Sequence, residues 1–127
     1  MAATTTPTEL RGAWRELMAA HARVSEALER ALQQRHDLSL TEFEVLQRLA
    51  ETPEGYRRMQ ELAVDVHLSP SALSRLVGRL EKAGLAYRDI CDDDRRGIYC
   101  TLTEAGRAAH AKAEPTHDEV LAATLGA

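Results

Sequence analysis

The chain has 127 residues, of which 44% are apolar and 28% are charged, and its formal net charge at pH 7 is −4. This length fits one domain with a hydrophobic core of its own, and the apolar fraction is typical of a globular protein. A net acidic chain does not by itself favour a nucleic-acid partner, so such a partner requires a local cluster of cations. Residues 57–96 are the least acidic stretch, with 8 basic and 7 acidic side chains.

Several classes of protein are excluded by what the sequence lacks. Its start, MAATTTPTEL, has no basic n-region and no apolar run, so we expect no secretory signal. No stretch approaches the ~18 apolar residues of a membrane span, and two cysteines make no disulfide framework, so a reducing cytoplasm is the expected location. No HExxH, CxxC, glycine-rich phosphate loop or nucleophile elbow occurs, and we therefore expect no metal, no cofactor and no enzymatic activity.

The first predicted element is a long amphipathic helix over residues 7–35. Thr6, Pro7 and Glu9 form a capping box with proline at the first helical position. Apolar positions then recur every three to four residues: Trp14, Leu17, Met18, His21, Val24, Leu28, Ala31 and Leu32. A small domain cannot easily bury a stripe of that length, so we expect a partner helix from a second subunit.

Two shorter helices are predicted next. Thr41 and Glu44 match a second capping box, and the turn Pro53–Gly55 ends the helix that follows it. A third helix is predicted over Met59–Val66, with apolar residues facing inward.

The fourth helix has two different faces. Ser69 and Pro70 start it, and Gly84 ends it after Ala83. Its apolar stripe consists of Leu73, Leu76, Val77 and Leu80. The opposite face consists of Ser71, Ser74, Arg75, Gly78, Arg79 and Lys82.

A β-hairpin and a last helix complete the prediction. Residues 85–102 form two strands around an acidic and basic turn that contains Asp94, Arg95 and Arg96. Thr103 caps a helix that Pro115 breaks or kinks, and a last helical piece runs to about residue 125. The predicted fold is therefore mainly α with a small β-hairpin wing, a winged helix-turn-helix with N- and C-terminal dimerisation helices.

The polar face of the fourth helix suits a DNA major groove, which admits one α-helix and rewards hydroxyl groups near its N-terminus and Arg or Lys at its edges. Gly78 would permit close approach to the DNA. The wing adds Arg95 and Arg96, because arginine suits a narrow minor groove, and Asp94 can orient Arg96. The alternatives are an ordinary solvated helix face and a polar turn that keeps the protein soluble.

Three runs of sequence resemble the MarR family of bacterial transcriptional regulators: LTEFEVLQRLAETPEG, MQELAVDVHLSPSALSRLVGRLEKAGL and DDDRRGIYCTLTEAG. The resemblance implies a winged-helix dimer that binds a double-stranded DNA operator. It makes Ser71, Ser74 and Arg75 major-groove contacts and Arg96 the minor-groove arginine of the wing. The complete set of candidate DNA-binding residues is Ser69, Ser71, Ser74, Arg75, Arg79, Lys82, Asp94, Arg95 and Arg96.

The resemblance also bears on domain organisation. We expect residues 1–127 to form a single winged-helix domain with helical dimerisation extensions at about 7–35 and 103–125. Family members usually continue with another helix that helps to form the dimer, and this chain stops at Leu125-Gly126-Ala127. Either that helix is missing or dimerisation depends on residues 7–35 and those after Thr103.

An effector is expected from the resemblance alone, because family members often bind aromatic or phenolic acids between the dimer helices and the winged domain. Trp14, Met18, His21 and His36 are the candidate ligand-binding residues, and packing is the favoured alternative for all four. We thus predict a cytoplasmic homodimeric regulator, a repressor that binds a pseudo-palindromic operator. The rival hypothesis is a winged-helix module that binds another protein and no DNA.

Cysteines and histidines give weaker signals. Cys91 and Cys100 lie on the two hairpin strands as diagonal neighbours, where a disulfide has unfavourable geometry, so two half-buried thiols are expected rather than a redox sensor. His110 and His117 are two helical turns apart with Pro115 between them, and no metal spacing is present.

Overall fold

The computed structural model describes residues 4–90 and 97–126. Its helices and strands, in chain order, are α1 (Pro7–His36), α2 (Leu40–Glu51), β1 (Tyr56–Arg58), α3 (Met59–Asp65), α4 (Pro70–Lys82), β2 (Ala86–Ile90), β3 (Ile98–Leu102) and α5 (Glu104–Thr124). The order of elements and the small antiparallel sheet confirm the predicted class, a mainly helical winged helix-turn-helix.

Helix α1 begins at the predicted capping box. Thr6 Oγ1 accepts a hydrogen bond from the Glu9 backbone N–H at 3.1 Å, and Glu9 Oε2 accepts one from the Thr6 N–H at 3.0 Å. The helix ends at Asp37, whose φ of 55° turns the chain. Only Leu28 and Leu32 of the predicted stripe are buried, because the N-terminal half of α1 extends beyond the rest of the protomer.

The start of α2 differs from the prediction by two residues. Its N-cap is Ser39, which accepts from the Glu42 N–H at 3.0 Å, while Glu42 accepts from the Ser39 N–H at 2.8 Å. The predicted pair of Thr41 and Glu44 lies inside the helix and caps nothing, so that assignment was wrong. Two overlapping matches to the same motif exist in this stretch, and the earlier one lies where the chain leaves α1.

The sheet has three strands in the order β1–β3–β2, all antiparallel. The predicted hairpin is confirmed as β2 paired with β3, with Arg88 opposite Cys100. A third strand, β1, was not predicted; it pairs Tyr56 with Thr101 and Arg58 with Tyr99. This pairing joins the segment before α3 to the two strands of the wing.

Helix α5 runs without interruption through Pro115. Of the two predicted effects of Pro115, a break or a kink, the break was therefore wrong. A proline inside a helix costs about 3 kcal/mol, and in α5 the burial of Ala113, Thr116 and His117 beside it offsets that cost.

The core lies where α2, α3, α4, β3 and α5 meet. The predicted apolar stripe of α4 is buried, with Leu73, Leu76, Val77 and Leu80 all at most 2% exposed. Phe43 of α2, which is fully buried, lies between the rings of His110 and His117 of α5, with centroid distances of 5.2 Å and 4.5 Å. Across residues 4–90 and 97–126, no helix is both long enough and apolar enough to cross a lipid bilayer.

Candidate nucleic-acid interface

The N-terminus of α4 is formed as predicted. Ser69 is the N-cap and its Oγ accepts from the Ala72 N–H at 3.2 Å, with Pro70 at the first helical position. Ser69 and Ser71 are both exposed, and their hydroxyl oxygens are 3.4 Å apart. Exposed hydroxyl groups and helix N–H groups at this end form a surface that favours phosphate.

Three cations extend along the exposed face of α4: Arg75, Arg79 and Lys82. Within the described ranges, none of the three side chains takes part in a hydrogen bond or an ion pair. Their charge is therefore available to a partner outside the protomer, as a DNA-reading helix requires.

Arg57 belongs to the same least acidic stretch, residues 57–96, but it does not add to this cationic surface. Its Nε donates to Asp65, and its Nη1 lies 3.2 Å from a carboxylate oxygen of Glu61. The hydrogen bond from Arg57 holds the pKa of Asp65 below its usual range. Arg57 is thus occupied in joining β1 to α3.

Arg88 of β2 is occupied by α4 itself. Its Nη1 donates to Ser74 Oγ at 2.8 Å, its Nη2 to the Ser74 carbonyl at 2.9 Å, and its Nε to Glu81 Oε1 at 3.0 Å. The Arg88 backbone N–H also donates to Glu81 Oε2 at 3.2 Å. These hydrogen bonds, the backbone one first, lower the pKa of the Glu81 carboxyl. Sequence reasoning counted Arg88 only as one of several basic residues.

This contact changes the interpretation of two predicted positions. Ser74 lies on the predicted face, but its hydroxyl oxygen and its carbonyl both accept from Arg88. Gly78 was expected to permit close approach of DNA. In the structure a Cβ at Gly78 would lie 3.3 Å from Arg88 Nη2, so glycine also makes room for the guanidinium.

The three predicted contacts of the wing tip, Asp94, Arg95 and Arg96, lie outside the described residues and stay predictions. Cys91 lies there too. Cys100 is fully buried, and burial raises the pKa of its thiol to about 12. A thiol that ionises so poorly is a weak nucleophile, which supports a packing role for Cys100.

A groove of about 840 Å³ lies between α1, the first turns of α2 and the turn at residues 66–68 that joins α3 to α4. It is lined by His21, Ser25, Glu26, Glu29, Arg30, Leu40, Thr41, Glu44, Val66, His67 and Leu68. Burial raises the pKa of Glu44, although His117 and Arg48 oppose the shift.

Of the four candidate ligand residues, only His21 lines this groove. Trp14 and Met18 lie further towards the N-terminus of α1 and are 58% and 44% exposed. His36 lies at the other end of α1 and hydrogen-bonds Thr116 of α5 at 2.7 Å. Trp14, Met18 and His21, together with Leu17, line a second pocket of about 490 Å³ on α1, so the structure brings three of the four residues together and leaves His36 apart from them.

His110 and His117 share one face of α5 against Phe43. The Nε2 of His110 is buried without a hydrogen-bond partner, and its distance to Glu114 Oε2 is 3.7 Å. No cluster of three or more His, Cys, Asp or Glu side chains able to hold a metal is present in the described part of the chain.

Solved structures with the same fold match nearly the whole length of this chain. The MarR family profile matches residues 38–98. AbsC of Streptomyces coelicolor, a MarR family transcriptional regulator, is 32% identical; the match covers 97% of this chain and 82% of AbsC with a TM-score of 0.84. Sco3205 of the same organism, a MarR family regulator solved in complex with DNA, is 31% identical over 98% of this chain and 77% of its own, with a TM-score of 0.85.

A relative known from sequence is the uncharacterized HTH-type transcriptional regulator YwhA of Bacillus subtilis, 36% identical over 55 residues. That match spans 43% of this chain and 40% of the length of YwhA. All three relatives are described as transcriptional regulators. The chain belongs to the MarR family of transcriptional regulators.

Proposed function

We propose that this regulator binds a pseudo-palindromic DNA operator as a homodimer and represses transcription. Helix α4 enters the major groove, and the wing between β2 and β3 reaches the minor groove with Arg95 and Arg96, oriented by Asp94. The observation that carries this proposal is the cationic face of α4: Arg75, Arg79 and Lys82 are exposed and unpaired within the described residues. Arg57 and Arg88, in contrast, are neutralised by carboxylates of the same protomer.

The contacts differ in what they contribute. Ser69 and Ser71 at the start of α4 hold a phosphate, and Arg75, one turn further on, reads a base edge. Arg79 and Lys82 lie towards the end of the helix and neutralise phosphates, which adds affinity without sequence preference. This division predicts different outcomes for different substitutions.

The test is a fluorescence-anisotropy titration with an operator selected from random duplexes, against a scrambled duplex. Arg75→Ala should reduce operator affinity by about 1–3 kcal/mol and relax the preference at one base position in each half-site. Lys82→Ala should weaken binding to all sequences alike. Equal binding of the wild type to operator and scrambled DNA would refute the proposed function and leave a protein-binding module as the better explanation.

The dimer forms through the exposed N-terminal half of α1, together with residues after Thr103. Leu10, Trp14 and Leu17 are each more than half exposed, which is unusual for large apolar side chains in a row on one helix face. The whole chain then acts as one winged-helix domain with dimerisation extensions at 7–35 and 103–125, and it works in the cytoplasm, where its operator is.

A small-molecule effector, bound in the groove beside α1, would release the operator. Resemblance to the family favours an aromatic or phenolic acid. This groove, however, is lined by carboxylates as well as by basic groups, namely Glu26, Glu29, Glu44, Arg30, His21 and His67. A thermal-shift screen should therefore compare matched acids, neutral phenols and amines, since a ligand that binds the folded state raises its melting temperature.

A further inference from the structure

The side of α4 that faces β2 carries a row of three residues at helical spacing: Ser74, Gly78 and Glu81. Positions i, i+4 and i+7 lie on one face of a helix, so this row covers two turns, or about 10 Å. The Arg88 guanidinium lies along it, bonded to Ser74 at one end and to Glu81 at the other. Gly78 between them leaves the space that the guanidinium occupies.

We propose that Arg88 is a positioning residue of operator recognition, which fixes the wing relative to the recognition helix α4 by way of Ser74 and Glu81. This inference rests on the function proposed above. It also assigns Ser74, predicted to contact DNA, a role that acts through Arg88.

The number and direction of the bonds support this assignment. Hydrogen bonds to acceptors two turns apart prevent both sliding of β2 along α4 and rotation of β2 about Arg88. Arginine is suited to this task because its planar fork donates in several fixed directions, whereas a lysine ammonium at the same place is a point charge on a flexible stem. Arg88 is followed two residues later by Ile90, the last residue of β2, and then by residues 91–96, which contain Arg95 and Arg96.

The bonds also argue against a direct contact of Arg88 with DNA. Its side chain is two-thirds buried and its charge is balanced by Glu81 at 3.0 Å. A phosphate would have to compete with that carboxylate and with both acceptors of Ser74. Arg75 and Arg79, on the exposed side of the same helix, have no such competitor in the described residues.

The first test uses Arg88→Lys, which keeps the charge and removes the fork, with Arg23→Lys on α1 as the matched control. Operator affinity measured by anisotropy should fall about tenfold, the value of one lost specific contact, for Arg88→Lys and stay unchanged for Arg23→Lys. Hydroxyl-radical footprints should lose protection in the flanking minor groove and keep it at the half-sites. Unchanged affinity and footprint in a folded Arg88→Lys protein would overturn the inference.

Salt dependence separates positioning from phosphate contact. In a protein that already carries Arg95→Ala and Arg96→Ala, so that the wing has no arginine contact left to lose, adding Arg88→Gln should leave the slope of log affinity against log salt unchanged, because Arg88 contacts no phosphate. A slope reduced by about 0.9 per subunit would mean that Arg88 neutralises a phosphate, contrary to the inference. A wild type that binds no operator in the same titration would remove the proposed function itself, so the two failures are distinguishable.

A double-mutant cycle tests the assignment of Ser74. If Ser74 acts through Arg88, Ser74→Ala combined with Arg88→Lys should lose no more affinity than Arg88→Lys alone. Additive losses would show that Ser74 contacts DNA independently. Gly78→Ala provides a variant that keeps every polar group while it crowds Arg88 Nη2, and circular dichroism checks the fold of each protein.

Discussion

Trp14 offers the sharpest test of how two protomers assemble. It lies on the exposed N-terminal half of α1 and is 58% exposed in the protomer, between Leu10 and Leu17, which are also exposed. In a two-fold symmetric dimer through this face, each copy of Trp14 is covered by the partner. Trp14→Ala should therefore weaken dimerisation without unfolding the protomer, because the side chain packs against little of its own chain.

The size of the effect follows from the exposed area. A tryptophan buries about 200 Å², so covering the 58% that is exposed removes about 115 Å² from water. At ~25 cal/mol per Å² this stabilises the dimer by about 3 kcal/mol per protomer, or about 6 kcal/mol for the symmetric pair, if the partner covers the whole ring. The dissociation constant of the dimer should rise by up to about 10⁴-fold.

Sedimentation equilibrium from nanomolar to tens of micromolar concentration measures this constant directly. Arg23→Ala is the matched control: it also truncates a long side chain of α1, but nine residues further on, which is about 180° around the helix. We expect Arg23→Ala to sediment as the wild type does. A Trp14→Ala protein with an unchanged dissociation constant, or a wild type that is monomeric at micromolar concentration, would refute dimerisation through this face.

Three further outcomes are expected. Gly106→Ala should prevent stable folding, because a Cβ there would lie 1.9 Å from the Leu85 carbonyl oxygen, and expression yield with circular dichroism checks this. In a Cys91→Ser protein, Cys100 should resist a thiol reagent at pH 8 until urea unfolds the protein, because burial raises the pKa of its thiol to about 12; a fast reaction of the folded protein would contradict that. Arg88 lowers the pKa of Glu81, so this pair stabilises the fold above the ordinary carboxyl pKa and ceases to do so as the pH falls through the lowered value. The difference in urea stability between wild type and Glu81→Gln should accordingly shrink from pH 7 to pH 3, and a constant difference would exclude this pair as its source.

The sequence is sufficient to predict most helices and the buried and exposed faces of α4, because those depend on local signals. Serine and proline at 69–70, the apolar stripe of α4 and the glycine at 84, with φ of 77°, all lie where the pattern puts them. Periodicity over 13 residues leaves little ambiguity about which face is buried.

What the sequence does not predict depends on contacts between distant residues. Strand β1 has only three residues, and no local sequence signal predicts it. It forms a strand because it pairs with β3, more than 40 residues later in the chain. Arg88 likewise looks like any surface arginine until β2 is placed beside α4, where Ser74 and Glu81 become its acceptors. The continuity of α5 at Pro115 is also decided by tertiary packing rather than by propensity.

The stack of Phe43 between His110 and His117 has a mechanical consequence. Stacked ring faces keep α2 and α5 apart at a defined separation but form no directional bond, so a small displacement parallel to the rings costs little. Helix α2 continues through α3 to α4, and α5 packs along α1, so this stack is one of the contacts between the α2–α4 segment and the long helices. In the homodimer proposed above, such a displacement would change the spacing of the two α4 helices without breaking a hydrogen bond at this junction.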